Sequence, residues 1–142
     1  MTPQQIQLVQ ETFEMVAPIA DTAAALFYER LFTLDPSLRP MFKSDMKQQG
    51  KKLMTTLALA VRGLDRPEQI LPAVRHLGQR HVSYGVRPAH YQTVGEALLW
   101  ALEQGLGDAF TAEVKATWAA AYALLANVMQ DAASQVEGSR AA

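Results

Sequence analysis

A chain of 142 residues and 15.6 kDa suits one compact domain, because two halves of about 70 residues each would both be marginal. Apolar types make up 49% of it and charged types 19%, a globular composition, and 13 Lys plus Arg against 14 Asp plus Glu leave no positive excess for a nucleic-acid backbone. The absence of Cys removes disulfides, thiolate nucleophiles, Cys-ligated zinc, iron–sulfur clusters and covalent C-x-x-C-H attachment, so any metal must be held by His, carboxylate, Met or Tyr.

The spacing of apolar residues predicts an all-α chain of six or seven helices. Thr2-Pro3-Gln4-Gln5 combines an N-cap, a first-turn Pro and a capping-box Gln, after which Ile6, Val9, Phe13 and Val16 share one face until a stop near Pro18. A second helix runs to about Leu34, Asp35-Pro36-Ser37 starts a short helical turn, and Arg39 to Ser44 reads as a connector. Asp45 with Gln48 resembles another capping box ahead of the stripe Leu53, Leu57, Val61 and Leu64, in a helix through about Arg62.

Asp65-Arg66-Pro67-Glu68 is read as the cap of the next helix, with Ile70, Val74 and Leu77 inward and Gly85 as its stop. Pro88 opens a helix carrying Val94, Leu98, Leu102 and Leu106, Gly105 to Asp108 makes a turn, and Thr111 caps a last helix read as frayed past about Gln135. The longest uncharged run, 15 residues between Lys115 and Asp131, includes Thr117, Asn127 and Gln130 and is too short and polar to span a bilayer. Met1 to Gln5 lacks the basic start and apolar run of a signal peptide, so a cytoplasmic protein without a membrane partner is expected.

Three His residues are present. On a helical wheel His81 lies within about 40° of Ile70, Val74 and Leu77, whereas His76 points about 140° away. His81 therefore faces inward, His76 faces solvent, and His90, in a first helical turn, is expected to be exposed. An inward His is either bonded to a carbonyl or a metal ligand; with no H-E-x-x-H or E-x-x-H motif, the metal reading calls for a cofactor that brings its own equatorial ligands, of which haem is the common case. Gln49 ends the Leu53 and Leu57 stripe, at a pocket mouth or in solvent, and Tyr28 is either a core Tyr bonded to a carbonyl or a pocket residue. Trp118, Tyr122 and Met129 are read as core. Ser44, Ser83 and Asp45 form no nucleophile elbow, and no Gly-rich phosphate loop occurs.

The run Leu31-Phe32-Thr33-Leu34-Asp35-Pro36 with Phe42, the segment Leu77-Gly78-Gln79-Arg80-His81 with Tyr84-Gly85-Val86, the segment Val94 to Leu99, and Ala116-Thr117-Trp118 through Tyr122 together resemble a globin. The likeness runs from about residue 5 to residue 131 and is to bacterial single-domain globins, flavohaemoglobin globin domains and neuroglobin. It implies a 3-over-3 sandwich of seven to eight helices around non-covalent haem b. His81 matches the proximal iron ligand, and Tyr28, Gln49 and Leu53 match the distal ligand-binding positions. Phe42, Leu77, Val86, Tyr91, Val94 and Leu98 match residues along the haem, and Lys52 one that reaches a propionate.

A phenol and an amide that donate hydrogen bonds to O₂ should slow its release, so the resemblance implies high-affinity reversible binding of O₂, and binding of NO and CO. NO dioxygenation to nitrate ranks just behind O₂ supply, with a separate reductase expected because the chain ends at Ala142; gas sensing through a partner and a haem-free helical adaptor are the remaining readings. The flavohaemoglobin pattern pairs a Tyr and a Glu around the proximal His. Tyr91 matches the Tyr, but the Glu position falls at Ala133, which leaves the polarisation of the proximal His incomplete.

Overall fold

The computed structural model describes residues 1–42 and 45–141, without the side chains of Ser83 and 137–141, so Lys43 and Ser44 of the expected connector lie outside the described residues. In chain order it holds α1 (Pro3–Val16), α2 (Ala20–Leu34), α3 (Met46–Arg62), α4 (Pro67–Ser83), α5 (Pro88–Leu106) and α6 (Ala112–Ala141). Short 3₁₀ turns occupy Ala17–Ile19, Pro36–Met41 and Gly107–Ala109, and no strand occurs among the described residues. The all-α expectation holds. Counted without the 3₁₀ turns there are six helices in the described residues, fewer than the seven to eight expected, because the third helix is only a 3₁₀ turn.

Several local signals act as read. The Thr2 hydroxyl accepts from the Gln5 N–H at 3.1 Å while the Gln5 amide accepts from the Thr2 N–H at 2.8 Å, and Thr111 accepts from the Val114 N–H at 3.2 Å. Others differ. Asp45 caps α3 by accepting from the Lys47 N–H, without a reciprocal bond from Gln48. At α4 the N-cap is Arg66, which makes no side-chain cap bond; Asp65 accepts instead from the Gln10 amide of α1 at 3.2 Å, so a tertiary partner has taken the carboxylate from the cap. The 3₁₀ turn continues to Met41 because the fixed φ of Pro40 suits it. The backbone of α6 stays helical to Ala141, past the expected end near Gln135, with no Pro to interrupt it.

Val9, Phe13 and Val16 of α1, Phe27 and Leu31 of α2, Ala97 and Leu102 of α5 and Trp118 of α6 form one buried cluster. Trp118 is 2% exposed, and its indole N–H donates at 2.8 Å to the Thr12 hydroxyl, which donates at 2.7 Å to the Leu8 carbonyl, so the polar atoms within this core are satisfied. Around it α2 packs against α5 and α3, α1 against α6, and α4 against α6. At Gly78 a Cβ would overlap the Met129 carbonyl, so only Gly lets α4 lie this close to α6. Helices α3 and α4 are held by different neighbours and touch each other little.

Candidate functional site

The end of α4 is built around His81. Gly85 adopts φ +84, and with it the Val86 N–H donates to the His81 carbonyl at 3.0 Å and the Gly85 N–H to the Val82 carbonyl at 3.1 Å. This Schellman closure pins His81 three residues before the helix cap and fixes Val86 beside it. The ring packs edge-on against Tyr84 and Tyr91, with centroids 5.9 and 6.2 Å away. Burial, reinforced by the nearby Arg80, pulls the His81 pKa below its ordinary value, partly offset by the Leu77 carbonyl one turn back. The buried Nδ1 closes no hydrogen bond of normal geometry among the described residues.

His76 is exposed, as its place on the wheel requires. His90 differs from expectation: it is half-buried, because its Nδ1 accepts from the Arg87 N–H at 2.9 Å and so serves as the first-turn acceptor of α5.

Tyr28, Gln49 and Phe42 come together where α2 meets the start of α3. Tyr28 is buried and its hydroxyl donates to the Gln49 backbone carbonyl at 3.3 Å, a long contact for an O–H donor and the kind of partner the sequence allowed for a core Tyr. Burial pushes the Tyr28 pKa up to about 12, which keeps the phenol protonated. Its ring meets Phe42 edge-on at 5.4 Å and stacks on Phe32 at 6.0 Å. The approach of α2 to α3 rests on Gly50, where a Cβ would sit 3.0 Å from that of Ala24. The Gln49 side chain is half-buried.

The remaining candidates divide by exposure. Phe42, Leu53, Leu77, Val86 and Val94 are all half-buried, and Leu98 is 8% exposed. Leu53 and Leu98 share a small void with Phe27 and Leu57, whereas Lys52 is exposed. Half-buried apolar side chains and an imidazole packed between two tyrosine rings are chemistry that suits an apolar cofactor taking a nitrogen ligand. No group of three His, Asp or Glu that could hold a metal by itself occurs among the described residues.

Three contributors escaped the sequence reading. Phe32 and Gly50 shape the Tyr28 side, and Tyr84 packs on His81. Only Tyr84 carried a usable signal, its place one residue before the stop Gly85. Tyr122, read as core, is half-buried and donates to the Tyr91 carbonyl at 2.5 Å, which holds Tyr91 in place next to His81.

A family model described as Globin matches residues 25–129. A flavohemoprotein of Xylella fastidiosa is 33% identical over 133 residues, covering 92% of this chain and 33% of that protein. One of Rhodopirellula baltica is 34% identical over 131 residues, covering 90% and 32%. The chain thus spans about a third of the length of these relatives. Among solved structures, an engineered carbene transferase described as a candidate nitric oxide dioxygenase from Rhodothermus marinus superposes with a TM-score of 0.89 at 29% identity, over 100% of this chain and 99% of that one. A bacterial globin from Campylobacter jejuni gives a TM-score of 0.85 at 25% identity, over 96% and 99%.

Proposed function

The chain belongs to the globin family, whose model covers residues 25–129, and from that premise we propose that it binds haem b non-covalently through His81 and takes up O₂, NO and CO reversibly. The observation that carries this reading is His81 itself: an imidazole whose pKa burial lowers, fixed by the Gly85 turn and packed edge-on against Tyr84 and Tyr91. A neutral imidazole offers the lone pair that a metal needs.

When bound, haem supplies reversible coordination of a diatomic gas. The chain supplies the surroundings. Phe42, Leu53, Leu77, Val86, Val94 and Leu98 would exclude water from the bound group, Tyr91 and Tyr84 pack on the His81 ring, and exposed Lys52 would pair with a propionate. Tyr28 serves as donor to the gas. Rotating its O–H away from the Gln49 carbonyl, a long 3.3 Å contact, would free it to donate. The Gln49 amide is the second donor.

NO dioxygenation is the second reading, favoured by the description of the Rhodothermus marinus neighbour. It requires a supply of electrons. Ala133, where the flavohaemoglobin pattern has a carboxylate, offers His81 no acceptor, so strong peroxidase-like activation is not expected.

An absorption spectrum of the purified protein, reduced, under O₂ and then under argon, tests the main reading. A Soret band that shifts between an oxygenated and a five-coordinate form is the expected result. A six-coordinate reduced form would overturn the distal arrangement, and no Soret band after haem addition would overturn haem binding. Nitrate formed per NO consumed, near one with added reductant and faster than for unrelated globins, is the result expected of the dioxygenase.

A further inference from the structure

Helix α3 presents two different sides. On its wheel Gln49 and Leu57 lie within about 40° of Leu53, whereas Met54, Thr55, Ala58, Leu59 and Arg62 lie about 100–240° away from it. Those five residues line a cleft of about 660 Å³, which reaches across to Phe13 of α1 and to Ile70 of α4. Gly63, where a Cβ would overlap Ile70, lets the start of α4 press on the end of α3, and Arg66 between them also borders the cleft. The only polar side chains around the cleft are those of Thr55, Gln69 and the two Arg, and no acid is among them. A largely apolar concavity with a few polar groups, in the range of about 300–1,000 Å³, has the form of a small-molecule site.

The two cations differ. Arg62 is committed, because its guanidinium donates to the Glu14 carboxylate at 2.8 and 3.2 Å and lies 5.6 Å over the Phe13 ring. Arg66 is exposed, and its side chain makes no hydrogen bond or ion pair among the described residues. Its acidic neighbour Asp65 accepts from the Gln10 amide instead. An apolar cleft bordered by one uncommitted guanidinium complements a molecule that is apolar along its length and anionic at one end. Burial of the apolar part supplies the affinity, and the guanidinium fork gives the head charge-assisted hydrogen bonds.

We propose that this cleft binds an amphipathic anion, an unbranched alkyl chain with a single carboxylate or phosphate head, its tail lying along Met54, Ala58 and Leu59 and its head at Arg66. From Met54 to Arg62 the helix runs about 12 Å at 1.5 Å per residue, the length of a chain of about ten carbons. The occupant sits on the side of α3 turned away from Gln49 and Leu53, so it does not compete with a gas. None of the residues around the cleft is one that the haem reading uses, so the two readings stand or fall separately.

Calorimetric titration of the full chain with sodium decanoate, kept below its micelle concentration, tests the site. One decanoate per chain is expected, with decyltrimethylammonium, of the same tail and opposite charge, bound at least about tenfold more weakly. Arg66→Glu and Leu59→Glu, both at exposed positions, are each expected to weaken decanoate about tenfold, and Lys47→Glu, the same change of charge away from the cleft, to leave it within about twofold. Decyl phosphate in place of decanoate distinguishes the heads, and tighter binding of either with the same variant pattern supports the site. No binding, several molecules per chain, equal affinity for the cationic analogue or equal losses in all three variants would overturn the proposal. So would decanoate that shifts the Soret band of haem-loaded protein and binds Arg66→Glu and Leu59→Glu unchanged, which would place it at the iron.

Discussion

Burial keeps both Tyr28 and His81 uncharged, pushing the phenol up to about 12 and the imidazole below its ordinary value. One is thereby kept as a donor and the other as a lone-pair ligand. Tyr28→Phe deletes the donor and is expected to speed O₂ dissociation about tenfold, the worth of one lost hydrogen bond, as followed by stopped-flow displacement; an unchanged rate would mean that Gln49 acts alone. His81→Ala is expected to abolish stable haem uptake and exposed His76→Ala to leave it intact, both read from the Soret absorbance per protein. The inward His could be picked out by its wheel angle, since 100° per residue follows from backbone geometry alone. The Tyr28 contact with the Gln49 carbonyl could not, because it joins residues 21 positions apart on two helices whose crossing is set elsewhere.

Element ends were the most legible feature of the chain, because capping and stopping are local chemistry. Thr2 with Gln5, Pro67, Pro88, Gly85 and Thr111 each act within a few residues of themselves. Where a distant group competes, the local reading fails, as Asp65 shows by accepting from Gln10 rather than capping α4. Helix contacts follow the same division. Gly78 reads as an ordinary helix-weakening Gly in sequence, yet it is where α4 meets the backbone of Met129. Gly78→Ala should therefore not give the usual helical stabilisation but a loss of about 1–3 kcal/mol in urea unfolding of the protein, the range for overpacking. A gain in stability would show that α4 can shift away without penalty.

At the scale of the whole molecule, two buried phenols set an alkaline limit. Tyr122 is also raised above its ordinary value of 10, by burial first and by Tyr91 second. Above pH 10 the unfolded chain releases phenol protons that the folded chain retains, so the unfolded state is favoured as pH rises, and for Tyr28 this continues until about pH 12. Unfolding midpoints are expected to fall steadily from pH 10 to pH 12, with a shallower fall in Tyr28→Phe; equal slopes would mean that Tyr28 does not remain protonated.

The sequence by itself determined the helical class, most helix ends, the inward direction of His81 and, through spaced motifs, the globin resemblance, because periodicity, capping and Pro or Gly geometry act over a turn or two of backbone. Only the tertiary structure decided which surfaces meet: α4 on α6 through Gly78, Tyr28 on the Gln49 carbonyl, Tyr122 against Tyr91, and how little α3 and α4 touch. Those outcomes depend on how whole helices share one buried core, where the free energy of each contact is set by neighbours remote in the chain.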